Sequence, residues 1–556
     1  MNSKLTDSGL SVKLMDRTLL VAVSVTCLFI NFIGYDIFNT SRFASLIFFA
    51  SICLSILVLN FNKNVFFDDK LVLYLSLLFA ISIALSLINS KGKLLEGLIG
   101  VYGRNIGALT LFSFIVFFLS SYFSNSIFDC KSLLFVIIGV GLISAFYGLI
   151  QILNLDPLLT INLYNPVRGF FGNPNFHSAF LGISSIATFA TVISKEFSYR
   201  IRLFLSLCLI LFIVVILATD SKQGIILFVF GAAIILTIRF WLSNKLKVLG
   251  KFLILIIPLS ALVVVLDLLR IAPWRPLIYE ASVSYRGDYW RAGIAMFFDN
   301  PFFGVGPDGY RDQFRFYRDE INVNRIGVDP PINSAHNIFI ELAASGGLPL
   351  LLTYILMLAL IPLSIAKLIK SLEQYDYSVA GVIGCWVGFF VQSLISVNTI
   401  PISLIGWILM GKLLGIRRNR ELSMITRKKN NFFLKLSLLP FISIFLIGLP
   451  MILNDINYKK ALESQRIDEI KAAAYGFPKD VYRMSLIAEI FRRANMPDVG
   501  IKIARDAVKL NPNNFEALEE LYLMPNISTQ EKDIILNRLK YLDPLNKKIL
   551  VNMSQD

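Results

Sequence analysis

The sequence predicts an all-α polytopic membrane protein with a large extracytoplasmic loop and a helical C-terminal domain. Three observations carry this. Hydrophobic residues make up 56% of the 556, and the mean hydropathy of +0.67 is far above that of soluble globular chains. Apolar runs long enough to cross a bilayer lie near 18–35, 43–60, 71–89, 105–123, 131–152, 177–194, 203–219, 224–243, 250–268, 346–366, 379–397, 401–416 and 432–452, which makes thirteen predicted transmembrane helices. Lysine and arginine are distributed unevenly between the connecting loops.

Residues 1–17 are polar and lead into the first span with no small-residue cleavage site, so they read as a cytoplasmic N-terminus before a retained helix. Residues 18–452 then form the transmembrane domain. With this start, the cytoplasmic loops carry Lys4, Lys13, Arg17, Lys63, Lys70, Lys131, Lys195, Arg200, Arg202, Arg239, Lys245, Lys247, Lys251, Lys367, Lys370 and a cluster from Lys412 to Lys435. The opposite short loops hold only Arg42, Lys91, Lys93, Arg104, Arg168 and Lys222. The positive-inside rule therefore places the loop 269–344 outside, and an odd span count places 453–556 outside too. Topology accounts for the net charge of +15, so no nucleic-acid partner is predicted. The five cysteines lie in or beside apolar spans, and their spacing matches neither a disulfide framework nor a zinc site.

The loop 269–344 contains eight arginines and no lysine. A planar guanidinium grips carboxylate or phosphate bidentately, so this choice points to anion binding. Residues 284–298 predict an amphipathic helix ending at Asp299-Asn300-Pro301. Arg286 and Trp290 share one of its faces, where a tryptophan stacks on a guanidinium or a sugar ring. GVGPDG resembles a nucleotide loop, but it lacks a preceding strand and its proline interrupts any following helix. Pro330 and Pro331 stop what precedes, and Asn333 or Ser334 is predicted to cap a helix beginning near His336. The positive end of a helix disfavours imidazolium, so His336 should be neutral at pH 7 and able to accept a proton. The alternative is a histidine that only hydrogen-bonds backbone.

Asn173-Pro174-Asn175 signals a turn and a helix start, with Asn175 as the predicted cap, and His177 reads as structural. Two separated histidines with no acidic spacing pattern predict no metal site. Arg104 in YGRNIG and Lys222 in TDSKQG have two readings: snorkelling to headgroups, or lining an anion cavity with the loop arginines. Arg291, Arg311, Arg315, Arg318 and Arg325 either face phosphate groups or pair with Asp299, Asp308, Asp312, Asp319 and Glu320.

In residues 453–556, VGIKIARDAVKLNPNNFEALEELYLM reads as helix, Pro-containing turn, helix, and LKYLDPLNKKIL repeats the turn. The pattern resembles the end of a tetratricopeptide repeat, with two to three degenerate units from about 465. A generic helical hairpin domain is the alternative. Such repeats commonly bind a protein in a concave face.

Four segments together resemble the O-antigen ligase/polymerase superfamily of bacterial membrane glycosyltransferases. They are YGRNIGAL, FFGNPNFHSAFLG, SYRGDYWRAGIAMFFDNPFFGVGPDGY and SAHNIFIELAASGGLPLLL, in the family's order, and the resemblance covers roughly residues 70–410. It implies a GT-C-like membrane fold in the bacterial cytoplasmic membrane, with the site on the extracytoplasmic face. It also implies transfer of a glycan from undecaprenyl pyrophosphate to a hydroxyl on a glycan, lipid or protein, without metal or other cofactor. By motif, His336 would be the base on the acceptor and Arg286 would neutralise the leaving pyrophosphate. Arg104, Lys222, Arg291, Asn175, Trp290 and Asn337 would contact substrate. Lys222 stands where the family has arginine, so a point charge replaces a fork. The resemblance leaves ligase, polymerase and protein O-oligosaccharyltransferase unseparated. A transporter or flippase of lipid-linked glycans, or a scaffold acting through the tail, are the alternatives from other classes. The spans show no internal duplication of the kind transporters carry.

Overall fold

The computed structural model describes residues 2–59, 70–90, 94–124, 127–157, 165–243, 245–268, 285–329, 332–416, 438–547 and 549. Among these the regular structure is helical throughout. The helices before the loop are α1 (Asn2–Leu28), α2 (Asn39–Leu59), α3 (Lys70–Ile88), α4 (Leu94–Ile99), α5 (Ala108–Phe123), α6 (Ile127–Ile152), α7 (Pro174–Val192), α8 (Tyr199–Ala218), α9 (Gln223–Trp241) and α10 (Lys247–Leu268). The loop contains α11 (Arg286–Asp299), α12 (Tyr310–Tyr317) and α13 (Glu320–Ile326). Three apolar helices follow: α14 (Ile338–Ser371), α15 (Tyr377–Ile395) and α16 (Ile400–Gly415). The long α17 (Leu439–Ser464) then leads into α18 (Ile467–Ala474), α19 (Val481–Arg493), α20 (Pro497–Leu510), α21 (Phe515–Tyr522) and α22 (Thr529–Leu542).

Eight of these helices are long and apolar enough to cross a membrane, and α5 and α16 are shorter apolar helices. The chain is therefore an all-α multi-pass membrane protein. The first part of the predicted loop, 269–284, lies outside the described residues, as do Pro330, Pro331 and the basic segment 417–437.

Small residues set the closest packing. A Cβ on Gly182 of α7 would sit 2.6 Å from the Gly224 carbonyl oxygen of α9, so only glycine admits this approach. The Ser178 hydroxyl fastens the same junction, donating to the Ser221 carbonyl (3.0 Å) and accepting from the Gly224 N–H (2.9 Å). All five cysteines are buried and free, as small apolar residues would be. His177 is also buried and lies parallel to the Phe171 ring, 6.2 Å between centroids.

Two of the cations counted above are buried within helices. Lys412, counted above with a cytoplasmic cluster, is buried in α16, and its ammonium lies 3.4 Å from Asp16 of α1. Arg42 is buried in α2, donates to the Phe170 carbonyl and lies over the Phe38 and Phe171 rings.

Helix α14 is broken one-third of the way along. Gly347 has φ +68° and ψ −166°, and Pro349 follows. The Leu348 N–H turns away to the Pro301 carbonyl (2.6 Å), and Pro349 has no N–H at all. The Ala344 and Ser345 carbonyls therefore lose their helical partners. They accept instead from the Val305 N–H (2.8 Å) and the Gly306 N–H (3.0 Å), and the Ser86 hydroxyl of α3 adds a bond to Ser345 (2.6 Å). The turn GVGPDG thus replaces the missing rungs of a helix.

Residues 453–556 do not begin at a break, since α17 runs through 453 into the tail. The predicted helix–turn–helix is present as α20, the turn 511–514 and α21. The tail helices share their own core, built on Ile487, Phe491, Ala504, Leu518, Met524 and Leu539. They also dock on the loop, and this changes the fate of its arginines. Arg311, Arg315 and Arg318 pair with Glu516 and Asp543 of the tail, not with the loop acids expected. Arg318 and Asp543 are completely buried, with Nη2 donating to both carboxylate oxygens at 2.8 and 2.7 Å. Removing one member of such a pair typically costs about 3–5 kcal/mol.

Replacing Gly347 by alanine forces a side chain into the left-handed region and against the Phe302 and Pro301 backbone at 2.6 Å. We expect Gly347→Ala to lower stability by about 2–4 kcal/mol, read as a lower thermal midpoint in detergent, while Gly103→Ala, with open space around its Cβ, costs about 1–2 kcal/mol.

Candidate functional site

The site forms where α11, the loop before α5 and the start of α14 meet. Helix α11 begins at Arg286, against the predicted 284, and ends at Asp299. Its inner face packs Tyr289, Ala292 and Met296 against Tyr310, Phe314, Ala335 and Ala344. Gly293 allows the contact, since a Cβ there would meet Ile340 at 2.6 Å.

The predicted caps are each displaced. Helix α14 starts at Ile338, and Asn337 is its cap, accepting from the Phe339 N–H (3.0 Å) and the Ile340 N–H (3.3 Å). Asn333 and Ser334 lie too early because His336 itself takes a left-handed turn, φ +56°, ahead of the helix. At α7 the cap is Asn173, which accepts from the Asn175 N–H; Asn175 follows the Pro174 that opens the helix.

The left-handed His336 backbone costs roughly 1–2 kcal/mol and persists only where its surroundings hold it. Glu341 supplies that hold. One carboxylate oxygen accepts from the Ser334 hydroxyl (2.8 Å) and the Ala335 N–H (2.8 Å), and the Ser334 oxygen accepts from the His336 N–H (3.2 Å). The other oxygen lies 3.3 Å from Arg104 Nη2. Arg104 also faces Asp308 at 3.4 Å, and Asp308 accepts from the Val101 N–H (2.8 Å). Asp308 and Asn105 are both left-handed, so three tight turns converge here.

The His336 ring is partly buried beside Tyr289, 5.5 Å between centroids. Burial, then Arg286, then Arg104 push its pKa down from 6.5 to about 3. Burial and two nearby guanidiniums thus favour its neutral state at pH 7. Burial raises the Tyr289 hydroxyl to about 12 and also raises Tyr310 well above its ordinary value, so both remain protonated. Burial also raises the Asp308 carboxyl, opposed by Arg104 and the Val101 N–H.

Two polar atoms in this cluster are buried without a hydrogen-bond partner, His336 Nδ1 and Arg104 Nη1; elsewhere on α11 the same holds for Trp290 Nε1. Buried polar atoms are nearly always satisfied, so such a group calls for an oxygen-rich ligand or water. A cavity of about 50 Å³ has Arg104, Asp308, Ser334, Asn337 and Glu341 on its polar side. Aromatic rings of Phe79, Phe114, Tyr354, Phe389 and Trp407 line the other side.

Of the residues singled out in the sequence, His336, Arg286, Arg104 and Asn337 are brought together. Arg291 is exposed and occupied by Asp288 (2.8 Å) and Asp319 (2.6 Å), so it braces α11 against α13. Asn175 and Lys222 belong to a second junction, at the starts of α7 and α9, where Lys222 is exposed. Glu341, Ser334 and Asp308 were not selected beforehand. Glu341 lies four residues past the Asn337 cap, one beyond the capping-box position, so local spacing did not mark it.

The fold and site define a multi-pass membrane protein whose loop holds a neutral histidine among guanidiniums. Residues 207–355 match the profile of a family described as O-antigen ligase. This supports kinship with the O-antigen ligase superfamily and an enzymatic role in glycan transfer. The match runs from within α8 into α14 and contains Lys222, Arg286 and His336. No curated protein matches the chain.

The low His336 pKa sets a sign. Below pH 6.5 the unfolded chain takes up this proton and the folded one does not, so acidification removes stability down to about pH 3. Carbon NMR of the imidazole, assigned through His336→Asn, should show a neutral ring from pH 8 to about pH 5, where a free histidine would be almost wholly protonated.

Proposed function

We propose that the chain transfers a glycan from an undecaprenyl-pyrophosphate donor to an acceptor hydroxyl, on the extracytoplasmic face of a bacterial cytoplasmic membrane. The observation that carries this reading is the grouping of neutral His336 with Arg286 and Arg104. In the proposed step the acceptor oxygen forms a bond to the anomeric carbon as the bond from that carbon to the phosphate oxygen breaks. The acceptor proton passes to His336, and the electron pair leaves on undecaprenyl pyrophosphate. Arg286 and Arg104 stabilise that charge from fixed positions.

The depressed His336 pKa fits a base that works only with donor bound. Burial and then two guanidiniums lower it, and a diphosphate between the guanidiniums would offset their field and raise the ring's basicity. Asn337 holds the ring's segment by capping α14 and donating to the Leu394 carbonyl (3.1 Å). Trp290 offers an indole N–H and a stacking face to a sugar. Lys222 and Asn175 are assigned to the donor's far side. The repeat-like tail is assigned to holding a polymeric acceptor or a partner protein.

The test uses purified protein, a synthetic undecaprenyl-diphosphate oligosaccharide, EDTA and a panel of glycan, lipid and peptide acceptors. We expect release of undecaprenyl diphosphate, reduced about 10²–10⁴-fold by His336→Ala. Arg286→Lys should lower kcat more than donor affinity, since a point charge replaces a fork. Donor binding without release for any acceptor would favour transport instead.

A further inference from the structure

We propose that the C-terminal helices are a working part of the candidate site, and that Asp543 is a positioning residue for Arg286 and His336. The inference rests on an unbroken series of contacts from the tail to the ring. Asp543 and Arg318 pair with zero exposure, and Arg315 joins them at 3.4 Å. Arg315 lies on α12, stacks over Phe515 of the tail at 4.2 Å, and donates to the Val328 and Asp329 carbonyls at 2.8 Å each.

A second grip holds the first turn of α12. Asp312 accepts from the Tyr482 hydroxyl (2.5 Å) and from the Asn511 (2.8 Å) and Asn514 (3.3 Å) amides of the tail. Arg311 lies over the Tyr482 ring at 3.8 Å. Helix α12 has only eight residues, so it is too short to hold its own position and takes it from these partners.

From α12 the series continues inward. Tyr310, fully buried at its start, donates to the Tyr289 carbonyl of α11 at 2.5 Å. Tyr289 is three residues beyond Arg286, and its ring lies against His336. The tail also grips the loop that carries Arg104. Asp455 accepts from the Tyr102 hydroxyl and from the Asp36 N–H (3.0 Å), and Arg483 lies over the Tyr102 ring at 5.7 Å. The two loops that supply the guanidiniums are thus held from one side by one body.

Buried charged pairs favour one geometry because a shifted partner leaves an uncompensated charge. A grip of this kind sets position, and it leaves other faces of the tail for an acceptor. The inference deepens the transferase reading but its test does not depend on it. Amide hydrogen exchange on the full-length chain in detergent compares native protein with Asp543→Asn, Asp543→Glu and Tyr310→Phe. In Asp543→Asn we expect exchange through α11 to rise about tenfold or more while α15 and α16 are unchanged, with Asp543→Glu partly restoring protection. Tyr310→Phe leaves the tail contacts in place and should loosen α11 in the same way. Native-like α11 exchange in either Asp543→Asn or Tyr310→Phe overturns the proposal; if Asp543→Asn unfolds globally, Asp543→Glu takes its place. In the transfer assay Asp543→Asn should lower kcat with donor KM unchanged. A native chain without transfer activity overturns the transferase reading and leaves the exchange result to judge this one.

Discussion

The break in α14 is the constraint on which the rest depends. A helix in an apolar medium cannot leave carbonyls unpaired, because lipid supplies no donors. Gly347 and Pro349 orphan the Ala344 and Ser345 carbonyls, and the loop turn at Val305-Gly306 satisfies them. One local defect therefore fastens the loop to the helix that follows His336. The same turn carries Asp308 to Arg104, so the stitch also sets the electrostatic half of the site.

Around that stitch, charge is compensated unevenly. Arg104 has two acidic neighbours, Arg291 and Arg325 share Asp288, and Arg315 and Arg318 share Asp543. The arginines that brace the structure are consumed by carboxylates. The positive field that reaches His336 comes from Arg286 and Arg104. Among the described residues of the loop, Arg291, Arg311, Arg315, Arg318 and Arg325 pair with carboxylates, and Arg286 lies near His336. The partly buried imidazole in that field has a buried Nδ1 with no hydrogen-bond partner among the described residues.

The tail adds mechanical definition that neither the loop nor the spans supply. Helices α12 and α13 are short, and short helices take their stability from what they pack on. The partners of α12 lie more than a hundred residues away in sequence, on α19, the turn 511–514, α21 and the turn after α22, while α13 is tied to α11 through Arg291–Asp319 and Arg325–Asp288.

Much of this was legible in the chain. Apolar length determined the helical membrane architecture, because a bilayer demands long apolar segments whose backbone groups pair internally. The 3.6-residue periodicity located α11 to within two residues and found the helix–turn–helix of the tail. The motif segments selected His336, Arg286, Arg104 and Asn337, which the fold assembles. The caps were misplaced because a left-handed residue before α14 and a proline at the start of α7 shift the first hydrogen-bonded turn, and local composition does not encode that choice. The roles of the other loop arginines depended on acids far along the chain. Sequence determines which residues carry charge and which must be buried; only the tertiary structure decided which charges cancel, because pairing is a matter of distance across the fold.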